Sequence, residues 1–255
     1  MPPFSAHSET SPLPTPRIVA AIPARYGSTR LPAKPLATIA GKPLIEHVYR
    51  RVEPVPGLAR TVVLTDDERI AEVVRAFGGD CQLTPADCAS GTDRIAWAAR
   101  SWDAEAVINV QGDWILDPEA VATLARHLIA CPADPMATLA VPASPGDLDN
   151  PASVKVVCCL KGYALYFSRS AIPYRRAEGG PTTLKHWGIY GYRRDTLLAL
   201  AALPQSPLER AESLEQLRAL ENGIKIRVLT IRGEALGVDT PEDLERARTA
   251  LGNSG

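Results

Sequence analysis

The sequence predicts an α/β fold: a mixed, mostly parallel sheet flanked by helices. Short β-branched runs alternate with helical patterns through the first half of the chain, the order of a βαβ array. Those runs are apolar throughout rather than alternating, as strands covered on both faces must be.

The first strand is the run 18–21, which opens into Ile22-Pro-Ala-Arg-Tyr-Gly-Ser-Thr-Arg-Leu-Pro-Ala-Lys-Pro-Leu36. Pro32 and Pro35 forbid a regular helix there and stiffen a loop. A strand at 61–64, a helix at 67–77 and a helix at 90–102 follow. The strand 107–110 leads into Gln111-Gly-Asp113, and a helix at 118–130 and a strand at 137–141 complete the alternating part. After Asn150 the pattern changes. Strands at 154–159 and 163–168 flank a turn at Lys161-Gly162, 175–183 is a polar, Gly-rich loop, and 187–192 is another strand. A helix at 208–221 is closed by Asn222-Gly223, and 226–231 is a final central strand. Asp239-Thr240-Pro241 begins a helix over 241–251. The segment 150–192 interrupts the alternation, so it is the expected lid or dimer arm. Residues 17–255 read as one domain behind a disordered tail, 1–16, which has no apolar stretch of a secretory signal.

Composition narrows the function. A net charge of −1 argues against general nucleic-acid or acidic-membrane binding, and no apolar stretch approaches a membrane span. Five cysteines (Cys81, Cys88, Cys131, Cys158, Cys159) form no zinc-like pairing and suit a reducing compartment, hence a cytoplasmic protein. Adjacent Cys158 and Cys159 read as buried small hydrophobes.

In open α/β sheets ligands bind beyond the carboxyl ends of strands. The loop after 18–21 and Gln111-Gly-Asp113 both leave strands there, so they are expected to meet. Arg25, Arg30 and Lys34 stand in that loop beside Gly27, Ser28 and Thr29. Backbone amides and hydroxyls can cradle triphosphate oxygens while fixed cations neutralise them. The loop is not a Walker A motif, because no Gly-Lys-Ser/Thr order leads into a helix; the competing reading is a solvated basic loop. Asp113 can hold Mg²⁺ beside a phosphate. Asp239, within Gly237-Val-Asp-Thr-Pro-Glu242, either shares that ion or caps the last helix. Arg169, Lys185-His186 and Glu215-Gln216 offer ligands for an anionic substrate. Taken singly, a surface ion pair, a core histidine and a solvated helix face are the more common accounts of them. His47 and His127 fall within helical patterns and receive no chemical role. No Ser/His/Asp triad stands in a nucleophile-elbow context.

Together these residues resemble the 3-deoxy-D-manno-octulosonate (Kdo) cytidylyltransferases, the CMP-Kdo synthetases, from about Ile18 to Arg248. The resemblance is carried by Ile22-Pro-Ala-Arg-Tyr, Ser28-Thr-Arg-Leu-Pro, Lys34-Pro-Leu, Ser90-Gly-Thr-Asp-Arg94 and Asn109-Val-Gln-Gly-Asp113. It continues through Ala164-Leu-Tyr-Phe-Ser-Arg169, Ile172-Pro, His186-Trp-Gly-Ile-Tyr-Gly-Tyr192, Leu214-Glu-Gln-Leu-Arg218 and Gly237-Val-Asp-Thr-Pro-Glu-Asp-Leu244. It implies a nucleotide-diphospho-sugar transferase (Rossmann-like) fold, a homodimer, Mg²⁺, and transfer of CMP from CTP to an acidic acceptor with release of pyrophosphate. Position by position, it implies Arg25, Ser28, Arg30 and Lys34 as triphosphate ligands and Ser90, Gly91 and Thr92 in the cytidine pocket. Asp113 and Asp239 correspond to the metal ligands, and these two with Arg25 and Lys34 to the catalytic set. Gln111, Arg169, His186, Tyr190, Glu215 and Gln216 correspond to the acceptor ligands.

The chain also departs from the family pattern. Trp114-Ile115 stands where Glu-Pro is usual, Pro85 replaces an Arg, Cys88 a His and Ala33 a Gly. The expected acceptor is Kdo or a close analogue. A small phosphonate such as phosphonoformate is the alternative, left open by the altered Trp114-Ile115, whose bulky ring beside the metal would shrink the acceptor site. A catalytically inactive nucleotide-binding regulator ranks last, because Arg25, Lys34, Asp113 and Asp239 are all retained.

Overall fold

The computed structural model describes residues 17–27, 31–177, 180–233 and 235–252. In chain order its strands begin with β1 (Ile18–Pro23), β2 (Thr38–Ile39), β3 (Lys42–Pro43), β4 (Leu58–Thr65), β5 (Cys81–Leu83), β6 (Ala106–Asn109) and β7 (Trp114–Leu116). They end with β8 (Met136–Pro142), β9 (Lys155–Cys158), β10 (Ala164–Ser168), β11 (Leu184–Arg193), β12 (Ile226–Thr230) and β13 (Ala235–Gly237). The helices are α1 (Leu44–Val52), α2 (Glu68–Ala76), α3 (Gly91–Ala99), α4 (Pro118–Ala130) and α5 (Pro145–Leu148). After them come α6 (Arg194–Ala202), α7 (Pro207–Glu212), α8 (Gln216–Glu221) and α9 (Pro241–Gly252). Between the prolines' constraint and β2 only a single 3-10 turn, Lys34–Leu36, forms.

Nine strands make the main sheet. β5, β4, β1 and β6 lie side by side in parallel. β11 then joins β6 antiparallel, β8 joins β11, and β12 runs parallel to β8 at the far side. The β9–β10 hairpin attaches at the start of β11 through Leu184 and Lys185. The alternate residues of β1 show why the sheet needs cover on both sides. Ile18, Ala20 and Ile22 pack into a layer with α1, α2, α4 and α9. Val19 and Ala21 pack into the opposite layer with α3, α6 and α8. Every one of these five residues is at most 5% exposed, so the central strand is apolar along its whole length.

Four expectations need correction. The helix expected at 208–221 is two helices, because Ser213 adopts a left-handed conformation (φ 51°) between α7 and α8. The strand expected to be central near the C terminus, β12, pairs in a ladder only with β8 and is otherwise bridged at Tyr163–Arg227. Its apolar character comes from packing on both faces, Val228 in one layer and Leu229 against the other, and not from a neighbour on each side. The interrupting segment expected over 150–192 ends earlier, since β11 is an internal strand of the sheet. Cys158 and Cys159 are half-buried, because β9 leads directly into an outer turn where Gly162 has φ 77°. No helix among the described residues is long and apolar enough to cross a membrane. The tail 1–16, Ser28 and Arg30 lie outside the described residues.

Candidate active site

The carboxyl ends of β1 and β6 open onto one cavity. Ala24 and Arg25 leave β1, and Gln111, Gly112 and Asp113 follow β6. The two strand ends approach so closely that a Cβ on Gly112 would lie 2.6 Å from the Pro23 carbonyl oxygen. Only glycine permits that contact without moving backbone.

A second, smaller pairing brings in the far end of the chain. β7 and β13 form an antiparallel pair in which Trp114 lies opposite Gly237. Asp113 precedes this pair and its carbonyl accepts the Val238 amide at 2.9 Å. Asp239 therefore arrives beside Asp113 although 126 positions separate them in the numbering (239 − 113). Lys34 Nζ donates to Asp239 Oδ1 at 2.9 Å and to Asp113 Oδ2. Burial draws the Lys34 pKa down, but the two carboxylates outweigh it and hold the ammonium above its usual range.

Asp239 is not the cap of α9. Thr240 Oγ1 accepts the Asp243 amide, and Asp243 Oδ2 accepts the amides of Asp239 and Thr240. This reciprocal capping box satisfies the helix start and leaves the Asp239 carboxylate to face Lys34. The alternative that Asp239 merely caps the last helix is thereby removed.

The cavity, about 460 Å³, is lined by Arg25, Gly27, Lys34, Gly91, Asp113 and Asp239 among others. Arg25 stands at its exposed rim and donates to the Ala89 carbonyl at 3.1 Å. Ser90 caps α3 by accepting the Asp93 amide at 3.0 Å, so the positive end of that helix and Gly91 open onto the same space. A second cavity of about 430 Å³ shares Gly91, Gln111, Asp113 and Asp239 with the first. Its further walls are Thr92, Asn109, Trp114, Gly188, Tyr190 and Glu215. Two adjoining chambers thus meet at the two aspartates.

Glu215 enters the second chamber from the break between α7 and α8. Burial pushes its carboxyl pKa up, against the opposing pull of hydrogen bonds from Thr92 and Ser90. The break is held by a buried ion pair, Arg218 Nε to Glu209 Oε2 at 2.8 Å, with side chains 7% and 5% exposed. Gln111 Nε2 donates to the Gly188 carbonyl at 3.1 Å, which fixes its amide on the chamber wall. Trp114 also lines this chamber, edge-on to Trp187 at 6.1 Å.

Three of the acceptor candidates are placed elsewhere. The Arg169 guanidinium donates to the carbonyls of Glu212 (2.7 Å), Pro151 (2.9 Å) and Ser213 (3.3 Å), lines neither chamber, and ties three loops together. His186 is a core residue bonded to Thr138 Oγ1 at 3.0 Å and packed against Phe167 and Tyr190. Burial drives its pKa down to about 3, so the ring is neutral. Gln216 is 5% exposed behind Glu215 and lines neither chamber. Asn109, Gly112 and Gly188 also line the cavities; they receive no separate role from sequence, although all three lie inside the motifs 109–113 and 186–192.

Comparison with known proteins gives a consistent result. The family model described as cytidylyltransferase matches residues 19–226. A 3-deoxy-manno-octulosonate cytidylyltransferase of Syntrophotalea carbinolica is 48% identical over 245 residues, covering 92% of this chain and 98% of that protein. One from Escherichia coli is 47% identical over 236 residues, covering 92% and 96%. A solved structure of CMP:2-keto-3-deoxy-manno-octonic acid synthetase complexed with CTP superposes with a TM-score of 0.90 at 46% identity, covering 94% of this chain and 100% of that one. A cytidylyltransferase from Leptospira borgpetersenii has the same fold, with a TM-score of 0.62 at 17% identity over 93% of this chain and 87% of its own.

Proposed function

The chain belongs to the 3-deoxy-manno-octulosonate cytidylyltransferase family, and on that premise we propose that it transfers CMP from CTP to the anomeric hydroxyl of Kdo, releasing pyrophosphate. The fold is that of the nucleotide-diphospho-sugar transferases. The observation that carries the reading is the meeting of Lys34, Asp113 and Asp239 at the junction of two chambers. One chamber holds Arg25, Lys34 and the amino end of α3 and suits a triphosphate. The other carries hydrogen-bonding groups and suits a polyhydroxylated acid.

Arg25, Lys34 and the amino end of α3 are assigned to the triphosphate, with Ser90, Gly91 and Thr92 beside the nucleoside. Gln111, Tyr190 and Glu215 are assigned to the acceptor, and Arg169, His186 and Gln216 to holding that wall in place. The donor set of two carboxylates facing one cavity fits Mg²⁺, a hard cation that takes oxygen ligands. Bound there, it would supply neutralisation of the phosphate charge. No nucleophile of the protein is required. The acceptor hydroxyl oxygen attacks the α-phosphorus in line, the bond to the bridging oxygen breaks, and the chain's residues contribute alignment and fixed charge.

The partner reading is a second copy of the chain. Leu160, Leu165 and Tyr174 are 109%, 62% and 89% exposed on and beside the β9–β10 hairpin, next to an apolar cavity of about 540 Å³. Exposed large apolar side chains in this region, with Leu165 lining that cavity, support a homodimer. Five free cysteines support a cytoplasmic setting. The phosphonate alternative finds no support in the two sequence relatives described above, both of which carry the octulosonate name. The test is pyrophosphate release from CTP with Kdo or phosphonoformate as acceptor. Release with Kdo is expected; release with phosphonoformate alone would overturn the acceptor assignment.

A further inference from the structure

On the far side of the sheet's rim, the carboxyl end of α4 carries a cluster that the transfer reaction does not use. His127 lies in the last turn of that helix, Cys131 is its C-cap residue, and Asp134 sits in the loop before β8. The four-residue spacing of His127 and Cys131 puts both on one side of the helix end. One donor atom from each residue lies within 4.8 Å of the others. The His127 and Asp134 side chains are 10% and 7% exposed, with Nε2 and Oδ2 2.9 Å apart. Two atoms so placed can share one ion at ordinary nitrogen and oxygen bond lengths of about 2.0–2.2 Å. Cys131 is half-buried, which leaves the cluster an entry from solvent, and a water would complete a four-coordinate ion.

The surroundings orient the three ligands. Tyr163 donates its hydroxyl to Asp134 Oδ1 at 2.6 Å, and Arg227 Nε donates to Oδ2 at 3.0 Å. Arg193 holds the carbonyls of Leu128 and Cys131 at 2.6 and 2.9 Å, which pins the helix end. Outer hydrogen bonds of this kind fix carboxylate and backbone at metal sites. A dication bound by a thiolate, a carboxylate and a neutral imidazole is electrically neutral, so Arg227 would face no excess positive charge. One nitrogen, one sulfur and one oxygen donor favour a borderline transition metal and disfavour Mg²⁺, which takes oxygen ligands.

We propose that His127, Cys131 and Asp134 form a binding site for Zn²⁺ or a chemically similar divalent transition metal, separate from the aspartates of the active site. Binding takes the place of the hydrogen bond between His127 Nε2 and Asp134 Oδ2, with the neutral imidazole keeping its one proton on Nδ1, and releases the Cys131 thiol proton to solvent. It fastens the end of α4 to the loop before β8 and, through Tyr163 and Arg227, to the turn after β9 and to β12.

The test is a Co²⁺ titration of the metal-free full-length protein in excess Mg²⁺, read by thiolate-to-cobalt charge-transfer absorption. The expected result is a band that saturates at one equivalent, is abolished in Cys131→Ser and persists in Cys159→Ser. Tyr163→Phe should weaken binding by about 10-fold, the size expected for losing an outer partner. CTP binding by each variant confirms that it is folded. Absence of the band, its survival in Cys131→Ser, or its loss in Cys159→Ser would overturn the proposal.

Discussion

Lys34→Met isolates the role of the ammonium that joins the two aspartates. Methionine keeps the length and apolar stem of the side chain and removes the charge. An ion pair at 4 Å is worth about 4 kcal/mol at an effective dielectric near 20. Here the Asp113 and Asp239 side chains are 26% and 44% exposed, so solvent screening leaves about 1–2 kcal/mol for the pair of contacts together. In the wild type an incoming dication must displace that attraction; in the variant it meets two uncompensated carboxylates. Since 1.4 kcal/mol is a factor of ten, Mg²⁺ affinity without nucleotide should rise about 5–30-fold. CTP affinity should fall, because one cation of the triphosphate chamber is gone. Isothermal titration calorimetry with Mg²⁺ alone, then with CTP, measures both. Mg²⁺ binding that is unchanged or weaker in Lys34→Met would refute the reasoning.

Three further outcomes are expected. His186 has a folded pKa of about 3 against an ordinary 6.5, so the unfolded chain takes up a proton first as pH falls through that window and stability is lost with acidification. By pH 5 the loss is about 2 kcal/mol, and His186→Gln should remove it; parallel urea midpoints for both proteins between pH 7 and 5 would contradict the neutral core histidine. Arg218→Met should cost about 3–5 kcal/mol by stranding buried Glu209, whereas Glu209→Leu combined with Arg218→Met should be less destabilised, as chemical denaturation can show; equal losses would remove the stranded charge as the cause. Gly112→Ala forces Cβ against the Pro23 carbonyl oxygen and should lower turnover by about 100-fold through misplacement of Asp113, with a normal rate contradicting the close approach.

The central sheet was legible because burial on both faces writes itself into sequence as uninterrupted apolar runs, as at 18–21 and 62–64. α1 left only the helical pattern noted around His47, although Leu44, Ile45, Val48, Tyr49 and Val52 recur at helical spacing and are all buried. Other features had no local signal. The helical period runs on across Ser213, so the break that presents Glu215 is set by the buried Glu209–Arg218 pair, a tertiary contact. β7 and β13 are three residues each, too short to show a strand period, yet their pairing is what brings Asp239 to Asp113. The Thr240-x-x-Asp243 capping box, by contrast, is written in the sequence and frees Asp239 from capping. His186 and Arg169 belong to motifs that resemble acceptor ligands, and nothing in residue type separates a side chain that faces a cavity from one bonded to Thr138 or to loop carbonyls.

The account rests on Asp113 and Asp239 acting together on CTP at the junction of the two chambers. Its most direct test is Mg²⁺-dependent pyrophosphate release from CTP in the presence of Kdo, measured for the wild type, Asp113→Asn and Asp239→Asn, with circular dichroism confirming the fold of each. The account predicts release by the wild type and loss of about 100-fold or more in each variant, the scale seen when a fixed charge is removed from a transition state. Wild-type rates in either variant would contradict it.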